Sequence, residues 1–229
     1  MTTPTQFWHL RNHDLFDILS DEDITDLCII SNFKAGNKGD LIFFSDSEIK
    51  RLYTIKEGTL KICYTDESGK EIITEILTTH DIFGHLSLSI NKTSGASGEY
   101  AKVLSDTARI CSFEVDKFNR VLNQHPELST KYNSYMGDKL LSFRNKYSDL
   151  IFKDVRTRVA DFFKRYARYS GTIDGNKAEM EMLLTHQEIA DYIAASRQTV
   201  TEVINSLEAK GKVIYQGRKR VVIPDLSNL

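Results

Sequence analysis

The chain has 229 residues, of which 41% are hydrophobic and 27% charged, a composition typical of a globular protein with one large domain or two modest ones. Charged residues and histidines interrupt the first 19 residues, so we expect neither a signal peptide nor a membrane anchor there, and no other stretch is apolar enough to span a bilayer. Cys28, Cys63 and Cys111 are far apart. We expect them to be buried thiols and the protein to be cytoplasmic.

The net charge of −2 conceals an uneven distribution along the chain. Residues 150–229 hold 13 Lys and Arg against 10 Asp and Glu, whereas residues 1–149 hold 17 against 22. The C-terminal part is therefore positive and the rest negative. This asymmetry weakly favours a C-terminal part that contacts nucleic acid, because phosphate contacts require positive charge.

Short segments with alternating apolar and polar residues follow one another between about residues 24 and 114. Turn signals such as Gly39-Asp40 and Glu57-Gly58 separate them. This pattern predicts many short strands in an antiparallel barrel or jelly roll. A segment rich in Ser and Gly, residues 91–99, is predicted to be a mobile loop. The clearest strand candidates are residues 41–44, 51–55, 59–64 and 71–77.

The periodicity changes after Val115, where apolar residues recur at steps of three and four. The spacing predicts a helix of roughly 25 residues, too long for a small roll to cover by itself. We expect its apolar stripe to pack against the same helix of a second subunit, giving a homodimer. The alternative is a helix that packs only on its own domain. The residues expected at the dimer interface are Tyr132, Met136, Leu140, Phe143 and Tyr147.

A second helix is predicted to begin after Asp154, whose carboxylate can cap it. Residues 171–177 look like a break in the pattern. One face of this helix is apolar and consists of Val155, Val159, Phe162, Phe163 and Tyr166.

The strongest local signature begins at Thr185, which with Glu188 fits a capping box at the start of a helix. Ala194-Ala195 places small side chains where a tight turn between helices needs them. Ser196 is positioned to cap a second helix, and Gly211 to end it. Two short helices joined this closely predict a helix-turn-helix whose second helix fits the major groove of DNA.

The second helix and the segment after it supply side chains suited to DNA. Arg197 can bind guanine O6 and N7, and Gln198 can pair with adenine. Two apolar segments flank a basic run at residues 216–220, which predicts a β-hairpin wing that contacts phosphates. The alternatives are an ordinary α-hairpin and a solvated turn. The expected DNA-binding residues are Thr185, Gln187, Ser196, Arg197, Gln198, Thr199, Thr201, Glu202, Arg218, Lys219 and Arg220.

Taken together, these segments resemble the Crp/Fnr family of transcription regulators over nearly the whole chain. The most specific matches are residues 52–58, 69–71, 81–84, 185–190 and 196–200. The resemblance implies an α+β protein with an N-terminal antiparallel β-roll of the cyclic-nucleotide-binding type, a long dimerisation helix and a C-terminal winged helix-turn-helix. Such proteins bind palindromic double-stranded operators, and activators among them contact RNA polymerase. The corresponding parts are residues 1–125, 126–153 and 154–229.

The sequence departs from the family where cyclic AMP would bind. The family's ribose-binding glutamate is His85 here, and its phosphate-binding Arg-Ser pair corresponds to Glu99-Tyr100. The adenine-contacting pair of the dimer helix corresponds to Phe143-Arg144. A carboxylate near the phosphate is repulsive, so we expect no cyclic AMP dependence and an unknown effector, if any. The candidate effector-pocket residues are Gly84, His85, Leu86, Ser87, Glu99, Tyr100, Phe143 and Arg144.

The recognition helix also departs from the family, which usually carries Glu where Gln198 stands and a second Arg where Glu202 stands. We expect no catalytic residue, metal or cofactor, because cysteine clusters, complete His ligand sets and enzyme motifs are missing. Two alternatives stay open. The first is a regulator that responds to another small molecule in the roll. The second is a cyclic-nucleotide-binding signalling module or a cupin-type enzyme, although the helix-turn-helix argues against both.

Overall fold

The computed structural model describes residues 13–29, 31–43, 49–67, 69–88 and 98–229. The chain forms two compact units, Met1–Ser142 and Phe143–Leu229, which divide within one long helix. The predicted α+β class is confirmed, with antiparallel sheets, a long helix and a winged helix-turn-helix. The three-part division at residues 125 and 153 stays a prediction. No helix in the described ranges is both long and apolar enough to cross a membrane.

The first unit contains two antiparallel sheets of four strands each. One sheet has the order β1-β8-β3-β6 and the other β2-β7-β4-β5, so strands distant in sequence lie side by side, as in a roll. The strands are β1 (Ser31–Asn37), β2 (Leu41–Phe43), β3 (Arg51–Glu57), β4 (Leu60–Thr65), β5 (Glu71–Leu77), β6 (Ile82–Gly84), β7 (Tyr100–Val103) and β8 (Thr107–Glu114). All four strands proposed from the sequence are confirmed, whereas the loop proposed at residues 91–99 lies mostly outside the described residues.

Successive residues of β3 point into two different cores, as the two-residue period of a strand requires. Tyr53 and Ile55 join the core inside the roll, where the Tyr53 ring stacks on Phe83 with centroids 4.9 Å apart. Leu52 joins a second core on the outer face of the sheet. The helices of this unit are α1 (Asp21–Ile29), α2 (Val115–Gln124) and the first part of α3 (Pro126–Phe152), which continues into the second unit.

The cysteines agree with the sequence prediction as far as their side chains are described. Cys63 and Cys111 are buried thiols. Burial raises the pKa of Cys63 to about 12, so its thiol stays protonated and unreactive at neutral pH. The side chain of Cys28 lies outside the described part of the chain.

A glycine at the end of β6 permits a close approach of two backbones. Gly84 has φ +95°, and a Cβ there would lie 2.6 Å from the carbonyl oxygen of Arg51. Gly69 also has a positive φ, +81°, but a Cβ there would meet none of the described atoms within 4 Å. The two positions therefore separate the cost of backbone strain from the cost of a steric clash.

We expect Gly69→Ala to lower the free energy of unfolding by about 1–2 kcal/mol, the cost of a left-handed residue with a Cβ. Gly84→Ala should lower it by a further ~1–3 kcal/mol, because the β6 backbone must move away from Arg51. Urea denaturation of both variants measures the difference. Equal losses would show that the sheet relaxes around the added methyl group without cost.

The second unit contains a four-stranded antiparallel sheet of order β11-β12-β10-β9 and three helices, of which the first packs on the sheet and the other two pack on the first. Its elements are α4 (Val155–Ser170), β9 (Gly171–Asp174), β10 (Lys177–Glu181), α5 (His186–Ile193), α6 (Arg197–Ala209), β11 (Ile214–Gln216), β12 (Arg220–Ile223) and a short 3₁₀ helix (Leu226–Asn228). The interpretation of residues 171–177 as a plain break is wrong, because they form β9 and the turn into β10.

The predicted cap of α4 is confirmed. The Asp154 carboxylate accepts a hydrogen bond from the backbone amide of Thr157 at 2.8 Å. This bond satisfies one of the amides that the first turn of a helix leaves without an internal partner. Four of the five predicted apolar residues of α4 are buried, and Val155 is half-buried. The helix therefore forms the support on which the helix-turn-helix packs.

Candidate nucleic-acid interface

Helix α5 begins with the predicted capping box. The Thr185 hydroxyl accepts a hydrogen bond from the Glu188 amide at 3.2 Å, and Glu188 accepts one from the Thr185 amide at 2.8 Å. Two amides of the first turn are thus satisfied reciprocally. Gln187 is exposed on the same turn and donates to Asp191 at 3.0 Å. Thr185 therefore stabilises the start of α5, whereas the Gln187 side chain is oriented toward solvent.

The turn between the two helices is tight because Ala194 adopts a left-handed conformation, with φ 53° and ψ 59°. Such a conformation tolerates only small or specially stabilised side chains. Ser196 then caps α6 by accepting a hydrogen bond from the Thr199 amide at 3.0 Å. The predicted helix-turn-helix is confirmed, and Ser196 and Thr199 are engaged in starting its second helix.

The outward face of α6 carries three exposed side chains with hydrogen-bonding groups, Arg197, Gln198 and Glu202. Among the described residues, none forms a hydrogen bond or ion pair with the Arg197 guanidinium, which leaves its donors available to an external partner. Gln198 Nε2 donates to Glu202 Oε1 at 3.0 Å. Thr201 is half-buried, and its hydroxyl donates to the Arg197 carbonyl at 2.9 Å and lies 3.0 Å from His186 Nδ1.

The predicted wing is confirmed as the hairpin β11–β12, but its three cations are not equivalent. Lys219 forms an ion pair with Glu181 at 3.2 Å, and Arg220 forms one with Glu179. Hydrogen bonds from Lys177 and Arg220 lower the pKa of Glu179 to about 2, so that carboxylate is ionised at neutral pH. Arg218 is exposed and has no carboxylate partner within the described part of the chain. The uncompensated charge of the wing therefore lies at Arg218.

Arg158 on α4 is a positioning residue that the sequence did not reveal. Its guanidinium donates to the carbonyl of Leu150 at 3.3 Å and to that of Lys153 at 3.1 Å. It also donates to the carbonyl of Ala194 at 3.2 Å, in the turn between α5 and α6. One side chain thus ties the C-terminal end of α3 to the helix-turn-helix. All three acceptors are backbone carbonyls, which every residue type has, so the sequence does not identify them.

Two further contacts join the C-terminal part of α3 to its neighbours. Asp149 is buried and bridges Lys153 and Arg165, each at 2.7 Å. Burial alone would raise the pKa of Asp149, but hydrogen bonds from these two cations lower it. The ammonium group of Lys146 lies 3.6 Å from the ring centroid of Tyr192, a cation–π contact to α5.

The effector-pocket candidates around β6 differ in burial and in their contacts. The backbone amide of His85 donates to the Arg51 carbonyl at 3.0 Å, and its side chain is buried. Burial lowers the pKa of His85, so the imidazole is neutral at pH 7. Leu86 packs against the outer core and accepts a hydrogen bond from the Tyr132 hydroxyl at 2.6 Å. Ser87 is exposed.

Tyr100 stands where members of the family bind the phosphate, and its hydroxyl already forms a hydrogen bond within the protein. Its hydroxyl donates to Glu71 at 2.7 Å, and the same carboxylate binds the buried ammonium group of Lys61. Burial alone would raise the pKa of Glu71, but hydrogen bonds from Lys61 and Tyr100 and the charge of Lys102 lower it to about 2. Tyr100 therefore belongs to a salt-bridge network of the roll.

Glu99, next to it, is half-buried and lies near a second carboxylate. Burial raises the pKa of Glu99, and the charge of Glu75 raises it further, whereas Lys139 opposes the shift. Lys139 on α3 binds Glu75 at 2.9 Å and the Ile82 carbonyl at 3.1 Å. Glu75 thus binds Lys139 beside β6, and both charges act on the nearby Glu99, an arrangement that sequence reasoning did not find. The remaining pocket candidates, Phe143 and Arg144, are exposed residues of α3 in the second unit.

The predicted dimer stripe on α3 needs correction at its N-terminal end. Tyr132 is buried in the outer core of its own roll and is not available to a second subunit, whereas Met136 packs against the same core but is only half-buried. The other three candidates are solvent-accessible: Leu140, Phe143 and Tyr147 are 70%, 45% and 67% exposed. They follow the i, i+3, i+7 spacing of one helix face.

Comparisons with known proteins agree with both parts of the fold. Residues 34–125 match the cyclic nucleotide-binding domain, and residues 157–229 match the Crp-like helix-turn-helix domain. The chain is 30% identical over 192 residues to a CRP-like cAMP-activated global transcriptional regulator of Mycobacterium tuberculosis, covering 84% of each chain. It is 26% identical over 186 residues to a global nitrogen regulator of Synechococcus elongatus, covering 81% of this chain and 82% of that one.

The fold is also that of a solved structure, a CooA mutant from Carboxydothermus hydrogenoformans. The TM-score is 0.72 and the identity 20%, over 100% of this chain and 95% of that one. The roll, the capped helix-turn-helix with its wing and the match over most of the chain lead to one conclusion. This protein belongs to the Crp/Fnr family of transcription regulators, with a cyclic-nucleotide-binding-type domain and a Crp-like helix-turn-helix domain.

Proposed function

We propose that this protein binds double-stranded operator DNA as a homodimer, that α6 of each subunit reads one half-site, and that binding needs no cyclic nucleotide. The observation that carries the proposal is a helix-turn-helix whose two helices are capped by Thr185 and Ser196 and whose exposed Arg197 guanidinium forms no hydrogen bond or ion pair with the described residues. An arginine in this place is suited to the O6 and N7 acceptors of guanine.

Homodimer formation is supported by the three exposed apolar residues of α3. Leu140, Phe143 and Tyr147 form a contiguous face that is costly to leave in water and that an identical helix can cover. In this scheme residues 1–125 form the sensor roll, 126–153 the dimerisation helix and 154–229 the DNA-binding domain. RNA polymerase is a further partner if the protein activates transcription, and the site of action is the cytoplasm, where bacterial DNA lies.

Independence from cyclic AMP is supported by the residues of the roll. The mycobacterial relative is described as cAMP-activated. In this chain, however, Glu99 brings negative charge to the expected phosphate position, Tyr100 is bound to Glu71, and a neutral, buried His85 stands at the expected ribose position. A different small molecule in the roll is the second candidate, favoured by the two neighbouring carboxylates Glu75 and Glu99, of which Glu75 binds Lys139.

The function is tested by recovering an operator from a random DNA pool and measuring its affinity for variants by fluorescence anisotropy. Arg197→Ala should weaken operator binding by about five- to 150-fold, the worth of one good bidentate base contact, and relax the preference at one guanine per half-site. If affinity and preference both stay unchanged, α6 is not the reading helix.

Arg218→Ala provides the comparison for a phosphate contact. It removes a charge from the tip of the wing, so it should weaken binding to operator and to unrelated DNA by the same factor. The slope of log affinity against log salt should fall by about one. A sequence-selective effect of this variant would contradict a backbone role for the wing.

A further inference from the structure

The reading face of α6 carries a carboxylate that lacks a cation. Gln198 donates its amide nitrogen to Glu202 at 3.0 Å, one helical turn away, and both side chains are exposed. No Lys or Arg in the described ranges forms an ion pair with Glu202. The carboxylates beside the wing differ, since Glu179 and Glu181 each bind a cation of the hairpin. Of the two glutamates of α6, Glu202 is therefore the one that lies near Arg197, within the first turns of the helix.

An uncompensated carboxylate is unfavourable at a DNA surface unless a base donates to it. Phosphates repel it, and losing its water without a new hydrogen bond costs free energy. In the major groove only two base groups donate, N4 of cytosine and N6 of adenine. Guanine and thymine present acceptors at the edge that faces the protein, so both repel a carboxylate. The charge of Glu202 therefore excludes two of the four bases at its position.

The acceptor-only carboxylate of Glu202 distinguishes between the two remaining bases. Adenine places its N7 acceptor beside N6, and a bidentate partner for adenine must offer both an acceptor and a free donor. The Glu202 carboxylate offers only acceptor oxygens, which cannot pair with N7, and Gln198 holds it with one of its two amide hydrogens. Cytosine presents only the N4 donor in the major groove, which matches such a surface.

Resting on the proposed operator binding, we propose that Glu202, oriented by Gln198, selects a cytosine in each half-site by accepting a hydrogen bond from N4. Glu202 is a specificity-determining residue, and Gln198 is a positioning residue. Selection acts largely through repulsion of the wrong bases, a form of specificity that lowers the affinity for non-matching DNA.

The experiment uses the full-length protein and the operator recovered from the random pool. Every base pair of one half-site is changed to the other three, and affinities are measured for the wild type and for Glu202→Gln, which keeps the shape and removes the charge. The wild type should prefer cytosine at one position by about five- to 150-fold. Glu202→Gln should reduce that preference at least fivefold, leave the Arg197 guanine unaffected and bind unrelated DNA more tightly.

Two further variants separate the proposed role from a general charge effect. Glu208→Gln removes the same charge from the same helix, at an exposed position about three turns after Arg197 and past the N-terminal turns that contact base edges, and should leave every base preference unchanged. Gln198→Ala should weaken the cytosine preference at the same position only, as expected of a residue that orients Glu202. An equal gain in affinity for all sequences in Glu202→Gln, or a wild-type preference for adenine at this position, would overturn the inference. Failure of the wild type to enrich any sequence would instead refute the proposed function.

Discussion

The Leu140→Asp variant is expected to be monomeric where the wild type is dimeric and to lose operator binding by at least about 100-fold. Leu140 is 70% exposed in the subunit, so an aspartate there does not disturb the fold. In the proposed dimer, the same position lies in the apolar seam between two copies of α3. A carboxylate without a partner in such a seam costs several kcal/mol, roughly the scale of two or more decades in a dissociation constant. A monomer offers one recognition helix and loses the contacts to the second half-site.

Sedimentation velocity at micromolar concentration and anisotropy with the recovered operator measure the two effects. Ser134→Asp is the matched control, because it adds the same charge at an exposed site of α3, about 120° around the helix from Leu140. It should remain dimeric and bind DNA normally. A wild type that sediments only as a monomer would reject the proposed seam. A dimeric Leu140→Asp protein would place the interface elsewhere.

Features set by local chemistry could be predicted from the sequence. The capping box at Thr185, the caps Asp154 and Ser196, and the small residues of the turn all act within four residues of themselves. Their sequence signals are therefore complete without knowledge of the fold. The strands of the roll were equally readable, since alternation along one strand reports on its own two faces.

Features set by tertiary neighbours were not predictable. Helical periodicity marks Tyr132 and Leu140 alike as apolar, but cannot tell that Tyr132 faces its own roll and Leu140 faces solvent. The ion pair of Lys219 with Glu181 joins residues 38 positions apart. The basic run in the sequence therefore predicted more positive charge without an acidic partner than the wing has. β9 was missed because its four residues, Gly171–Asp174, include a glycine and three largely polar or exposed side chains that resemble a loop.

Neither cyclic AMP nor cyclic GMP is expected to bind at micromolar concentration, and operator binding should be the same with and without them. A nucleotide phosphate in the family's position would meet Glu99 rather than an arginine, and no charge-assisted hydrogen bond would replace the water it loses. Losing such contacts costs several kcal/mol, about the difference between a micromolar and a millimolar site. Isothermal titration with each nucleotide measures the affinity directly. Saturable micromolar binding, or operator binding that requires a nucleotide, would show that the roll retains an intact site.

A second set of variants tests why the affinity for cyclic nucleotides is low. If repulsion by Glu99 is the main barrier, Glu99→Gln should improve the weak nucleotide affinity about tenfold, and Glu99→Arg should improve it further. The wild type should also bind better as the pH falls. Its raised carboxyl pKa means that Glu99 takes up a proton earlier on acidification than an exposed glutamate, and the neutral acid no longer repels the phosphate. The Glu99→Gln variant has no proton to gain there and should lose this component of the pH dependence. An affinity that stays low and independent of pH in both proteins would instead assign the barrier to Tyr100, whose side chain is held in place by Glu71 whatever the charge of its neighbour.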